Sequence, residues 1–155
     1  MDGPAASALH QMTGPFYLLD KEVAEGHRGE VSSSWGQEVS PPGHEWLAVG
    51  DNSVLFQVWP KKTSYVRLDL WGGPPVPDEP WELTWDGRLF LPSGLVVLVE
   101  FEEAELDDCA PFDLRARDAH WRTRVHAKFG KYDHGPEVAA DTYDVDFYRV
   151  QLWPG

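Results

Sequence analysis

From Trp46 onward the chain is cut into short β-rich runs by clusters of Gly, Pro, Asp and Asn, a punctuation that admits strands but no long helix. Runs at 46–49, 53–59 and 65–71 are rich in Val, Leu, Phe, Tyr and Trp, and are separated by Gly50-Asp51-Asn52 and Pro60-Lys61-Lys62. Residues 72–77 read as a loop, because prolines cannot donate to a β-ladder. Residues 81–85 and 88–91 flank Asp86-Gly87, the strongest short hairpin signal in the chain. Pro92-Ser93-Gly94 then turns into a run at 95–101, and two long strands at 120–129 and 143–153 close the sequence. With a first strand at 16–20, the expectation is an all-β fold: a single-domain antiparallel β-sandwich of about nine strands with little helix. Residues 1–11 are expected as a disordered tail and 12–155 as the sandwich. Residues 21–43 read as a long connection, with room for a short helix around Trp35.

The last two strands show the clearest alternation. Trp121, Val125, Ala127 and Phe129 fall on one face, and Arg122, Arg124, His126 and Lys128 on the other. Asp144 and Asp146 repeat at the same period of two, so antiparallel pairing is expected to set Lys128 opposite Asp144 and His126 opposite Asp146. Such a cross-strand charge ladder is favoured over a phosphate-binding stripe. Beyond Phe147 the apolar set becomes Tyr148, Val150 and Leu152, and a β-bulge at 147–149 would account for the slip.

Charge supplies the main functional signal. Six of the nine residues from 100 to 108 are acidic, directly after the apolar run at 95–99. The whole chain carries 26 acids against 13 Lys and Arg, a net charge of −13. Residues 1–60 hold 8 acids and 2 bases, 61–119 hold 13 and 6, and 120–155 hold 5 and 5. The negative potential therefore lies outside the last hairpin. It favours a cationic protein partner and repels nucleic acid and anionic membrane. The expected partner-binding residues are Glu100, Glu102, Glu103, Glu105, Asp107 and Asp108. An ordinary use of the same run would be to keep an exposed strand edge from aggregating.

Catalytic and metal-binding signatures do not emerge. The six histidines show no His-x-His, no His-Glu-x-x-His and no pairing with cysteine. Asp144-x-Asp146 on a strand spreads its carboxylates about 6.5–7 Å apart and has basic neighbours to hand. Cys109, the single cysteine, lies beside Asp107 and Asp108, which raise rather than lower a thiol pKa. No Gly-x-Ser-x-Gly elbow occurs, and a pair of carboxylates is uninformative among so many acids. No cofactor, no metal and no enzymatic activity are expected. One cysteine excludes an intrachain disulfide, the start of the chain does not read as a secretory signal, and no run reaches the length of a membrane helix. A cytoplasmic location is the expectation. Eight Trp are numerous for 155 residues. They read as core aromatics or, as the alternative function, as the sugar-stacking platform of a carbohydrate-binding module.

The order of motifs suggests a family. Residues 14–20 (Gly-Pro-Phe-Tyr-Leu-Leu-Asp), Trp35, residues 47–56 and the segment 81–91 come first. Phe112-Asp113-Leu114 then precedes a long strand, and Asp141-Thr142-Tyr143 opens the last one. In this order and spacing, over residues 13–150, the chain resembles the competence-protein type of DNA-entry nuclease inhibitor. The resemblance implies a compact β-sandwich that binds and silences a nuclease, and it carries over no individual inhibitory residue. Similar small proteins serve as immunity factors against toxin domains, so an inhibitor or immunity role is implied. The tail at 151–155 and the long 131–140 segment depart from the pattern.

Overall fold

A computed structural model of the protein describes residues 4–27, 38–58, 62–75, 81, 83–100, 111–128 and 146–155. In chain order the elements are β1 (Ala6–Thr13), β2 (Phe16–Asp20), α1 (Lys21–His27), β3 (Leu47–Val49), β4 (Ser53–Phe56) and β5 (Thr63–Leu70). They continue with β6 (Leu83–Leu91), β7 (Leu95–Glu100), β8 (Phe112–Asp113), β9 (Ala119–Lys128) and β10 (Asp146–Pro154). Two five-stranded sheets result, one ordered β1-β5-β10-β9-β6 and the other β3-β4-β2-β7-β8. The fold is all-β, as the strand punctuation predicts. Every pairing is antiparallel except that of β10 with β5, which is parallel.

The core fills the space between the sheets. Val66, Leu68, Trp85, Leu89, Trp121, Val125, Val150 and Leu152 of the first sheet meet Phe16, Leu18, Val54, Phe56, Val96 and Leu98 of the second. A smaller cluster lies on the opposite side of the second sheet, where Tyr17, Leu19, Val97 and Val99 pack with Ala24 of α1. Cover on both faces explains why β2 and β7 read as unbroken apolar runs instead of alternating ones.

Four expectations are corrected. The tail expected over 1–11 is, from Ala6, the edge strand β1, whose inward-facing residues Ala6, Ala8 and His10 are small or polar and give only a faint alternation. Residues 21–27 of the expected connection form α1, capped by Asp20, while the segment around Trp35 lies outside the described residues.

The hairpin at Asp86-Gly87 does not form: β6 runs straight through both residues and pairs with β9 from Leu83↔Ala127 to Leu91↔Ala119. A continuous ladder with β9 outweighs the local turn preference. The edge-strand glycine instead makes room for an indole. A β-carbon at Gly87 would stand 2.1 Å from the Trp85 ring, which lies across it. Gly87→Ala should therefore destabilise the protein by about 1–3 kcal/mol, through overpacking of a buried Trp. A urea titration should show a lower midpoint with an unchanged slope.

Finally, β10 sits three places from the expected register, with Phe147 opposite Lys128 and Arg149 opposite His126. No bulge occurs at 147–149, and Asp146, Tyr148, Val150 and Leu152 form one continuous core-facing row. Burial of that row sets the register. Asp146 thus turns away from β9 and pairs with Lys62 at 3.4 Å, while Asp144 lies outside the described residues.

Half-burial of His10 on the inner face of β1 lowers its pKa from 6.5 through desolvation. The unfolded chain then binds more protons than the folded one just below pH 6.5, so stability should fall as the pH drops through that window. His10→Gln should flatten the part of the acid-side loss that begins at pH 6.5, as read by thermal melts at stepped pH.

Candidate functional site

Two parts of this sandwich bear on its charge: the pole at which acid-rich runs of the sequence follow described strands, and the outer face of the first sheet. At the pole, β7 ends at Glu100, β9 at Lys128 and β4 at Phe56, while β5 starts at Thr63 and β10 at Asp146. An aromatic cluster ties the two sheets together there. Phe16 stacks on Phe56 at 4.5 Å, and both meet the edge of Tyr148, at 5.8 and 5.0 Å. Trp46 stacks on the same Tyr148 at 6.4 Å. Burial, reinforced by the neighbouring Asp146 charge, pushes the Tyr148 hydroxyl far above the ordinary tyrosine range, so it stays protonated.

Glu100 is the one expected binding residue within the described structure. It is half-buried, and its Oε1 accepts a hydrogen bond from the Thr13 N–H at 3.0 Å, which ties the end of β7 to the end of β1. Glu102, Glu103, Glu105, Asp107 and Asp108 lie outside the described residues. The anchoring strands nevertheless define where the acidic segments attach. Residues 101–110 hold five acids and no base, and residues 129–145 hold four acids and one base. The first run follows β7 at this pole and is succeeded by β8, whose Phe112 pairs with Val96 toward the other end of β7; the second run is flanked by β9 and β10, at Lys128 and Asp146 of this pole.

Opposite in character is the outer face of the first sheet. Register and alternation place Arg67, Arg88, Arg122, Arg124, Lys128 and Arg149 on it, with only Asp69 and Asp86 as described strand carboxylates. Asp69 is fully buried among them. It accepts hydrogen bonds from Ser7 Oγ at 2.6 Å, Arg149 Nε at 2.9 Å and Arg67 Nε at 3.1 Å, so it holds two arginines that lie side by side in register. Arg124 Nε donates to Asp86 at 2.7 Å and also covers Trp153, 5.2 Å from the ring centre. Lys128 lies 4.7 Å from the centre of the Trp81 ring, and Trp81 stacks on His126 at 5.2 Å. Arg124 of β9 thus pairs with Asp86 of β6, Arg124 and Lys128 cover aromatic rings, and the register of β10 sets neither of them opposite Asp146. Arg88 and Arg122 face each other directly across β6 and β9, and among the described residues neither has a carboxylate partner.

Sequence reasoning found the basic alternation of β9 but missed Asp69 and both Arg67 and Arg149, because strand order alone brings β5 beside β10. The Trp platform required by a sugar-binding module does not form among the described residues. Trp71, Trp85, Trp121 and Trp153 are buried, and Trp46 and Trp81 are half-buried. Among the same residues, no group of three or more His, Cys, Asp or Glu is placed to hold a metal ion, and no helix is long and apolar enough to cross a membrane.

No protein-family profile and no curated protein matches this sequence. Solved structures do match. The protein of crocagin biosynthetic gene J superposes with a TM-score of 0.60 at 13% identity, over 96% of each chain. ComJ from Bacillus subtilis, an inhibitor of the DNA-degrading activity of NucA, superposes with a TM-score of 0.55 at 12% identity, over 100% of this chain and 99% of its own. The chain shares its fold with both. At such identities the likeness is one of architecture, and it matches the strand order from which the nuclease-inhibitor resemblance was read.

Proposed function

We propose that this protein is a non-catalytic, stoichiometric inhibitor or immunity factor that acts in the cytoplasm on a basic enzyme, specifically a nuclease. The observation that carries the reading is a fold shared with a protein that inhibits DNA degradation, and it is supported by two acid-rich runs of the sequence that follow strands β7 and β9, both ending at one pole. A nuclease groove is lined with cations to hold phosphates, and a concentrated carboxylate surface competes for those cations. The basic face of the first sheet would point away from such a partner, since like charges brought together at an interface are costly.

Association steered by a net charge of −13 should be fast at low ionic strength and weaken steeply as salt is added. Immobilised protein should capture a basic DNA-degrading activity from the source cell at low salt and release it at high salt. Titrating the protein into that activity should abolish it at equimolar ratio. Recovery of no basic protein, or DNA degradation that persists at molar excess, would refute the proposal.

A further inference from the structure

Among the described residues, the outer edge of β1 differs from the other sheet edges in having no protection along Ser7 to Gln11. Sheet edges are ordinarily blunted by charge, proline, a bulge or shortness, because their unpaired N–H and C=O groups recruit other strands. Edge strand β6 carries Asp86 and Arg88, while β3 spans three residues and β8 two. In contrast, β1 is eight residues long, contains no Asp, Glu, Lys, Arg or Pro, and keeps an unbroken register with β5.

Two hydrogen bonds show which of its backbone groups face outward. Gly14 N–H donates to the Lys62 carbonyl, and Trp71 N–H to that of Leu152. Even-numbered residues of β5 therefore face β1 and odd-numbered ones face β10, so β1 bonds β5 through its own even-numbered residues. The N–H and C=O groups of Ser7, Leu9 and Gln11 point to the open edge. Glu100 closes one end of that stretch by accepting from the Thr13 N–H. Leu9 at its centre is 41% exposed, one of two large hydrophobic side chains exposed among the described residues.

We propose that β1 pairs antiparallel with β1 of a second copy, about a two-fold axis at Leu9, so that two five-stranded sheets join into one. In this register Leu9 meets Leu9 of the second copy and Ser7 meets its Gln11, all in hydrogen-bonded pairs. The strand is uncharged and selects no charged partner, whereas it complements itself across the two-fold axis, as an isologous contact must. Orientation also suits the charge. The Thr13 end of β1 is bonded to Glu100, where the acid-rich run of the sequence begins, so antiparallel pairing carries the two copies of that junction to opposite ends of the dimer.

This proposal stands independently of the nuclease reading, and salt separates the two. Screening relieves repulsion between two copies of net charge −13, so added salt should strengthen the dimer while weakening capture of a basic enzyme. Sedimentation equilibrium should give a mass approaching twice the 17.5 kDa of the chain as concentration rises. Leu9→Lys sets like charges opposite each other and should weaken dimerisation by at least about tenfold.

Cross-linking tests the register without relying on that variant. In a Cys109→Ser background, Leu9→Cys places two thiols on Cα atoms about 5.5 Å apart, within disulfide reach, and should give a covalent dimer on oxidation. Thr13→Cys in the same background should remain monomeric, because its twin lies at the far end of the paired strands. A chain of 17.5 kDa at every concentration, a dimer indifferent to Leu9→Lys, or equal cross-linking at positions 9 and 13 would each overturn the proposal.

Discussion

Replacing Asp20 with alanine should destabilise the protein by about 3 kcal/mol and lower its Tm by roughly 10 °C. The Asp20 side chain is fully buried where β2 passes into α1. Its Oδ1 accepts from the backbone N–H of Glu22 at 2.9 Å and of Val23 at 3.2 Å, which caps the helix. Oδ2 accepts from both the backbone N–H and the hydroxyl of Ser93 at 2.9 Å, in the turn between β6 and β7.

Loss of the cap alone costs about 1 kcal/mol, and leaving the buried Ser93 donors unpaired costs about 1–3 kcal/mol more. The same turn depends on Gly94, whose φ is +71° and where a β-carbon would stand 2.0 Å from the Ala116 carbonyl oxygen. Asp20→Asn retains a single acceptor oxygen and should lose about half as much. Ser93→Ala removes one hydroxyl and should cost about 1 kcal/mol. Chemical denaturation of the three variants checks the ranking. An Asp20→Ala protein within about 1 kcal/mol of wild type would show that the carboxylate does not knit helix, strand and turn together.

Reversing Glu102, Glu103, Asp107 and Asp108 to lysine should abolish inhibition while leaving the fold intact. Surface substitutions away from caps and buried networks ordinarily change stability by no more than about 0.5 kcal/mol. Glu100 is excluded from the set because it tethers Thr13. The defect should lie in association, where steering charges act, with an on-rate lower by about 10–1000-fold and a shallower dependence on salt. Arg88→Glu with Arg122→Glu, on the basic face, should leave association with the enzyme unchanged or faster. Full inhibition by the reversed acidic variant would move the binding surface away from residues 100–108.

Much of the architecture was legible in the sequence because it rests on local chemistry. Turn residues delimit the strands at 16–20, 47–49, 53–56, 63–70 and 95–100, and period-two alternation orients β9. The unbroken run at 95–99 announces a strand covered on both faces. Asp86-Gly87 shows the limit of local signals: its turn preference is worth less than a ladder that spans all of β6. β1 was hidden because alanine and histidine mark a core face weakly, and α1 because about two turns leave hardly any helical periodicity.

The acidic character of residues 100–108 belongs to the sequence outright, since charge is a sum over residue types. Where charge collects does not. The parallel seating of β10 beside β5 brings Arg149 against Arg67 and makes Asp69 the carboxylate between them. Burial of Tyr148, Val150 and Leu152 turns Asp146 inward, while Arg124 of β9 pairs with Asp86 and Arg124 and Lys128 cover Trp rings. The pairing of Arg149 with Asp69 joins residues 80 positions apart. The register of such pairings is chosen by the apolar area a whole strand can bury, a property of two sheets packed together and not of any segment alone.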